Sequence, residues 1–333
     1  MFSLQGTQNS LIAVVYVLLC SAAIAAPDDS TKHPPQYPSK PVRLIVPFAP
    51  GAAQDITGRL VAQRLSELWS QQVIVDNRPG AGSSIGSQIV ARAAPDGFTL
   101  LLGNEALAIN PYLGTKVTFD PTRDLTPVSL ILINPRLFVV HPGFAGDSIK
   151  EVIALAKAKP NSLSYGSSGI GTGGHLAGAL LAIMSGTEMT HVPYKGAAPA
   201  MTDVVARQIQ LVAATIMSAI PFLNGGRLRP IAVTSAMRSS VLPAVPTVAE
   251  SGLPGYEAIA WSMLLAPAKT PVSIVGKVHA DTARFLDRSD VKARLVNEGA
   301  ESAGWDPKKS RNYFAVEVAR WSKVARDAGV KAE

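Results

Sequence analysis

The sequence predicts an α/β protein of two lobes, each a mostly parallel sheet flanked by helices. Three observations carry this. Short apolar runs rich in β-branched residues alternate with segments of helical periodicity, the pattern of a helix-covered parallel sheet. A strand, a glycine-rich loop and a helix follow one another in two separate halves of the chain, at 47–55 and 166–175, with no sequence repeat behind them. At 333 residues the chain is long enough for two lobes. Each glycine-rich loop is then expected to aim backbone donors at a shared cleft.

The first unit sets the pattern. Val42-Arg43-Leu44-Ile45-Val46 reads as a buried strand. Beyond it Ile56, Leu60, Val61, Leu65 and Leu68 recur at helical spacing, with Arg59, Gln63, Arg64 and Glu67 opposite. Between them lies Pro47-Phe48-Ala49-Pro50-Gly51-Ala52-Ala53-Gln54-Asp55. Pro47 and Pro50 stiffen this loop, and Gly51, Ala52 and Ala53 keep it bare of side chains. Asp55 stands at the helix start, where its carboxylate can accept from free backbone N–H groups. Two readings fit. One is an ordinary capped turn; the other is an anion site, where unpaired N–H groups and the positive helix end meet a carboxylate. Residues 50–55 hold no basic side chain, so an acid bound there would rest on backbone donors and water. Asp55 would organise the loop without touching the acid.

The later elements follow in order. Val73-Ile74-Val75-Asp76 is a second strand, ending in a glycine-rich loop at 77–86 that leads into a helix through Ala93. Residues 98–102 form a third strand, closing at Gly103-Asn104. Residues 125–133 and 136–140 are extended on either side of Asn134-Pro135. Ser148-Ile149-Lys150-Glu151 opens a helix with a capping-box pattern. Leu163-Ser164-Tyr165 is a short strand feeding the second glycine-rich loop and a helix at 176–184. A strand and loop at 191–196, a helix at 199–206 and strands at 209–215 and 231–233 come next. A Pro/Gly-rich connection at 243–255 precedes an extended stretch at 261–266. Three helices are expected near 271–287, 290–298 and 307–328.

Composition narrows the function. Residues 1–26 carry no charged side chain, run apolar from Leu11 to Leu19, and end in Ala23-Ile24-Ala25, a small-residue cleavage pattern. This predicts an exported protein whose leader is cut near Ala25 or Ala26, a membrane anchor being the other reading of the segment, followed by an unstructured lead-in at 27–36. The only cysteine, Cys20, lies in that leader, which excludes disulfides, thiolate catalysis and cysteine-held metals from the mature chain. The net charge of +7 is scattered, without the basic stripe and stacking aromatics that nucleic acid requires.

Several motifs point toward enzymes. Gly82-Ser83-Ser84-Ile85-Gly86 matches the G-x-S-x-G nucleophile pattern, which makes Ser84 the candidate of an exported serine hydrolase. His141, His175, His191 and His279 follow it, but none sits in a recognisable signature, and in a chain with 27 glycines the match is cheap. Gly80, Gly82 and Gly86 resemble a dinucleotide loop, yet follow the second strand instead of the first. The histidines show no metal-ligand spacing, and no cofactor is expected. His175, after Gly173-Gly174, is either a structural residue at a helix start or a binding residue of the loop.

One series of motifs runs through nearly the whole chain. It begins with Tyr37-Pro38-Ser39-Lys40-Pro41-Val42-Arg43-Leu44-Ile45-Val46-Pro47-Phe48 with Pro50-Gly51 and Asp55, and with Asp76-Asn77-Arg78-Pro79-Gly80-Ala81-Gly82. It continues through Pro95-Asp96-Gly97-Phe98-Thr99-Leu100, Tyr165-Gly166-Ser167-Ser168-Gly169, His191-Val192-Pro193-Tyr194-Lys195-Gly196 and Val245-Pro246-Thr247-Val248-Ala249-Glu250-Ser251-Gly252. In these motifs the chain resembles the Bug proteins, the solute receptors of tripartite tricarboxylate transporters. The resemblance implies a periplasmic protein with a two-lobe periplasmic-binding-protein fold of type II, with 37–130 and 237–333 as one lobe and 131–236 as the other. It implies no chemistry of its own. A small organic acid would be held between the lobes, and the closed form would be read by membrane transporter subunits or a sensor kinase. A monomer is expected.

The implied ligand set is Phe48, Gly51, Ala52, Ala53, Gln54 and Asp55 in the first loop and Asn104 after the third strand. From the second lobe it includes Ser167, Ser168, Gly169 and Thr172, with selectivity placed on the hydroxyls. His175, Tyr194 and Ala214 complete it. One departure stands out. Family members often carry an acid in the strand at 209–215, whereas this chain reads Val212-Ala213-Ala214-Thr215. That implies a solute less polar at this end, such as an aromatic or plain aliphatic acid.

Overall fold

A computed structural model describes residues 37–109, 118–327 and 329. The expected leader, its cleavage point, Cys20 and the lead-in at 27–36 lie outside the described residues. The chain opens with β1 (Val42–Val46), α1 (Ala53–Trp69), β2 (Val73–Asn77), α2 (Ser84–Ala91) and β3 (Thr99–Asn104). Two single turns of helix, α3 (Ala106–Ile109) and α4 (Pro121–Asp124), precede β4 (Leu125–Asn134). The chain then crosses to a second sheet. There it forms β5 (Arg136–Val140), α5 (Ile149–Ala158), β6 (Ser164–Ser167), α6 (Gly173–Ser185), β7 (Thr190–Pro193) and α7 (Ala197–Val205). This part ends with β8 (Leu211–Thr215), α8 (Ile216–Asn224) and β9 (Arg229–Val233). It returns as β10 (Ala260–Pro267), α9 (Val272–Leu286), α10 (Ser289–Asn297), β11 (Glu301–Trp305) and α11 (Pro307–Asp327).

The strands form two sheets, β11-β4-β10-β3-β1-β2 and β7-β6-β8-β5-β9. Both are mixed, which corrects the expectation of mostly parallel sheets. Strands joined by a helix within one sheet are parallel: β1 with β2 and β3, and β6 with β7 and β8. Strands that arrive from the other sheet run the opposite way. β10 is antiparallel to β3 and β4, and β5 is antiparallel to β8 and β9. The cause is the crossing. β3, β6 and β8 end at the junction between the sheets, whereas β5 and β10 begin there, so Arg136 pairs with Thr215 and Ser262 with Asn104.

Thr234 ties the crossing segments together. Its amide donates to the Arg136 carbonyl at 2.9 Å, and its hydroxyl accepts from the Arg136 amide at 2.9 Å and donates to the Ala258 carbonyl at 2.8 Å. The residue is fully buried, so these bonds are shielded from water. β5 is buried on both faces, with Phe138 and Val140 in one apolar cluster and Leu137 and Val139 in the other. On the first sheet Trp261 and Trp321 meet at Glu317, whose Oε2 accepts from both indole N–H groups at 2.9 Å.

Five elements differ from the sequence reading. α3 and α4 are too short to show a period. α8 carries Pro221 in its interior, which reads as a breaker in sequence. β11 contains Ser302 and Gly304 and pairs irregularly with β4 at the sheet edge. α1 begins at Ala53, so Gln54 and Asp55 belong to its first turn, and Ile56 and Leu68 fall outside its buried face.

Candidate functional site

The β1–α1 loop is built around Asp55. Its carboxylate, 2 % exposed, accepts from the Gly51 amide, the Asn77 side chain and Arg59 Nε, each at 2.9 Å. Asn77 also donates to the Phe48 carbonyl at 3.0 Å, fastening the far side of the loop. Ala52 is the N-cap and offers no side-chain acceptor. The amides of Asp55 and Ile56 reach the Ala52 carbonyl. Those of Ala53 and Gln54 have no partner among the described residues. They form the donor end of α1, with the helix dipole behind them. Gln54 is fixed from two sides: its Nε2 donates to the Trp261 carbonyl at 3.3 Å and its Oε1 accepts from Ser262 at 3.0 Å.

The β6–α6 loop is held from below. Ser167, 1 % exposed, donates to the Gly169 carbonyl at 3.0 Å and accepts from the Gly169 amide at 3.1 Å. Its oxygen also lies 2.7 Å from His191 Nε2, which is the donor because the Ser167 proton is committed. His191 stacks on His175 at 3.7 Å between ring centroids, and His175 Nδ1 accepts from the Gly171 amide at 3.2 Å. Thr172 donates through Oγ1 to the Gly169 carbonyl at 2.7 Å and gives α6 no side-chain cap. The amides of Gly173, Gly174 and His175 have no partner among the described residues, so α6 also presents a free donor end.

The stacked histidines make a testable prediction. Burial, helped by His191, pushes the His175 imidazole down to about 3, and burial pushes His191 down to about 4. Both rings are neutral beneath the loop. Because the folded values lie below the ordinary 6.5, their stabilisation is full above pH 6.5 and is lost as pH falls toward the folded values. The melting temperature should fall between pH 6.5 and about 4. A His175→Gln, His191→Gln double variant should flatten that fall. An identical pH profile in the variant would refute the assignment.

The structure brings most of the expected residues to the two strand-end loops and sorts their roles. Phe48, Ala52, Ala53, Gln54, Ser168, Gly169 and Thr172 are half-buried there, and Gly51 is exposed. Ser167 and His175 face inward and shape the loop, so the Ser167 hydroxyl is not the solute-facing group that was expected. Tyr194 supports the loop: its amide donates to the Ser167 carbonyl at 3.0 Å and its hydroxyl to Asp203 at 2.7 Å. Ala214 is packed in the core with Leu137 and Ile216, and half-buried Thr215 takes the strand end. The hydrolase motif has a packing explanation. A Cβ at Gly86 would lie 2.8 Å from Pro47 Cβ, so glycine lets α2 close on the first loop. Among the described residues no histidine bonds to Ser84; His141 accepts from Gly143, and His279 faces Ser129.

Sequence reasoning missed Glu105 and Arg136. Glu105 follows β3 and Arg136 opens β5, and the two form a buried ion pair that joins the lobes. A lone arginine inside the apolar stretch at 125–140 was the available signal. Arg136 Nη1 and Asn104 Oδ1 are buried without a hydrogen-bond partner among the described residues.

Two α/β lobes joined by crossing strands, each ending in a loop with a free helix N-terminus, define the class of two-lobed solute receptors. The chain belongs to the tripartite tricarboxylate transporter family receptors, whose family model matches residues 57–330. It is 36 % identical over 310 residues to the UPF0065 protein in the tcbD-tcbE intergenic region of a Pseudomonas species, covering 92 % of each chain. It is 32 % identical to Protein BugT of Bordetella pertussis, covering 96 % of this chain and 98 % of that one. Among solved structures, an R. palustris protein with adipate is 37 % identical with a TM-score of 0.82, over 89 % of this chain and 99 % of that one. MatC from Rhodopseudomonas palustris with bound malate is 31 % identical with a TM-score of 0.77, over 86 % and 99 %.

Proposed function

We propose that this protein is an exported, periplasmic receptor that closes on a small carboxylate between its two lobes. The observation that carries the reading is the pair of free helix N-termini, at Ala53-Gln54 and at Gly173 to His175, on the two strand-end loops. Adipate and malate in similar structures support the same ligand class. One carboxylate sits on the Ala53 and Gln54 amides, held by backbone donors and water. Asp55 keeps that loop in shape, while Ser168 and Thr172 read the rest of the solute. The protein performs no chemistry. Solute favours the closed form by binding it better than the open one, and the closed monomer is what transporter subunits or a sensor kinase recognise.

Thermal melting with a panel of organic acids tests this. A ligand raises the melting temperature and is recovered unchanged. Ser168→Ala should reorder the panel, with one solute losing about tenfold or more in affinity. If no acid shifts the melt, the receptor reading fails. If Ser168→Ala preserves the ranking with shifts below a few-fold, the placement of selectivity on the second loop is wrong.

A further inference from the structure

Resting on that reading, we propose that Glu105 supplies from within the chain the negative charge a second solute carboxylate would bring, so that the cleft selects monocarboxylates over dicarboxylates. The α6 N-terminus is the place where the second lobe would accept an anion. The Glu105–Arg136 ion pair is already there, with the guanidinium as close as the carboxylate. A Cβ at Gly173, the first residue of α6, would lie 2.6 Å from Glu105 Oε1 and 2.6 Å from Arg136 Cζ. The ion pair therefore lies against the first turn of α6, and only glycine lets it approach so closely.

The pair is sealed. Glu105 is 5 % exposed and Arg136 is 4 % exposed, and Trp261 donates its amide toward Glu105 Oε2 at 3.5 Å. Arg136 is the buried cation that a second acid group would seek; Glu105 pairs with its Nη2, and its Nη1 has no partner among the described residues. A dianion that placed its second carboxylate against the α6 N-terminus would set it beside the Glu105 carboxylate, where like charges in a water-poor site repel. The neighbouring Asn104 offers an unpartnered carbonyl oxygen, an acceptor that suits a hydroxyl or N–H and disfavours a carboxylate. Thr215, at the end of β8, adds no charge of either sign.

The experiment is calorimetry on the purified protein with matched acids of equal chain length: butyrate with succinate, hexanoate with adipate, benzoate with phthalate. In each pair that binds, wild type should take the monoacid about tenfold or more tightly than the diacid. Glu105→Gln frees the Arg136 charge and should invert that order. The Glu105→Gln, Arg136→Met double variant removes both charges, avoids leaving a buried arginine alone, and should lose the diacid gain. Tighter diacid binding by wild type overturns this proposal and leaves the receptor reading standing. An unchanged order in folded Glu105→Gln overturns it as well. If Glu105→Gln does not fold, the wild-type order decides. No binding of either class overturns both readings.

Discussion

Replacing Asp55 by alanine should weaken solute binding about ten- to a hundredfold while leaving the protein folded. The side chain never touches the solute in this account; it holds the loop that does. Its carboxylate takes bonds from the Gly51 amide, the Asn77 amide group and Arg59. Alanine takes from each of the first two donors a bond to a charged acceptor, worth about 1.5–3 kcal/mol, and leaves Asn77 only the Phe48 carbonyl. The exposed Arg59 regains water, so its share is small. With Gly51 and Asn77 released, the free amides of Ala53 and Gln54 lose their fixed direction. Burial alone would raise the Asp55 pKa, but the bonds from Arg59, Gly51 and Asn77 outweigh it and hold the group below the ordinary carboxylate value. A folded value below the unfolded one stabilises the protein above the unfolded value and loses that stability as pH falls through the folded one. Asp55→Ala should therefore also flatten the acid limb of the melting curve. Calorimetry that finds wild-type affinity in Asp55→Ala would refute this role.

Glu317→Leu should cost more in stability. Its Oε2 is the shared acceptor of the Trp261 and Trp321 indoles, and both rings are fully buried. Leucine fills similar space and accepts nothing, so each stranded indole N–H costs about 1–3 kcal/mol. The measurement is the urea midpoint, expected to drop with an unchanged slope. Glu317→Gln keeps an acceptor and should retain most of the stability. Burial raises the Glu317 pKa, against the bonds from Trp321 and Trp261 and the charge of Arg320. Its ionised form is thus disfavoured in the fold, and stability declines as pH rises from the unfolded value through the folded one. The glutamine variant should lack that decline. Equal losses in the leucine and glutamine variants would show that the indole bonds contribute little. The network also bears on the cleft, because the Trp261 carbonyl anchors Gln54, so Glu317→Leu should lower affinity too.

The sequence alone determined what depends on near neighbours. Val42 to Val46 is β-branched and apolar, and Leu60, Val61 and Leu65 keep a helical period, so β1, α1 and the loop between them could be read locally. Asp55 was legible because an acid three residues into a helix reaches back to its start. The order of the strand-loop-helix units was enough to read two α/β lobes, and the family motifs supplied the periplasmic-binding-protein fold. Tertiary structure decided the rest. Strand direction in β5 and β10 follows from which end of the sheet the chain enters, a property of the crossing that no local pattern carries. The inward turn of Ser167 depends on His191, which reaches it across the parallel β6–β7 pair. Ala214 reads like its neighbour Ala213, and only the pleat of β8 sends the two into opposite apolar clusters. Glu105 and Arg136 are 31 residues apart and share no motif. They meet because β3 ends and β5 begins at a junction between the two sheets, and the α6 N-terminus is packed against them. Long-range charge pairing of this kind is set by packing, and packing is the property of the whole chain that local sequence encodes least.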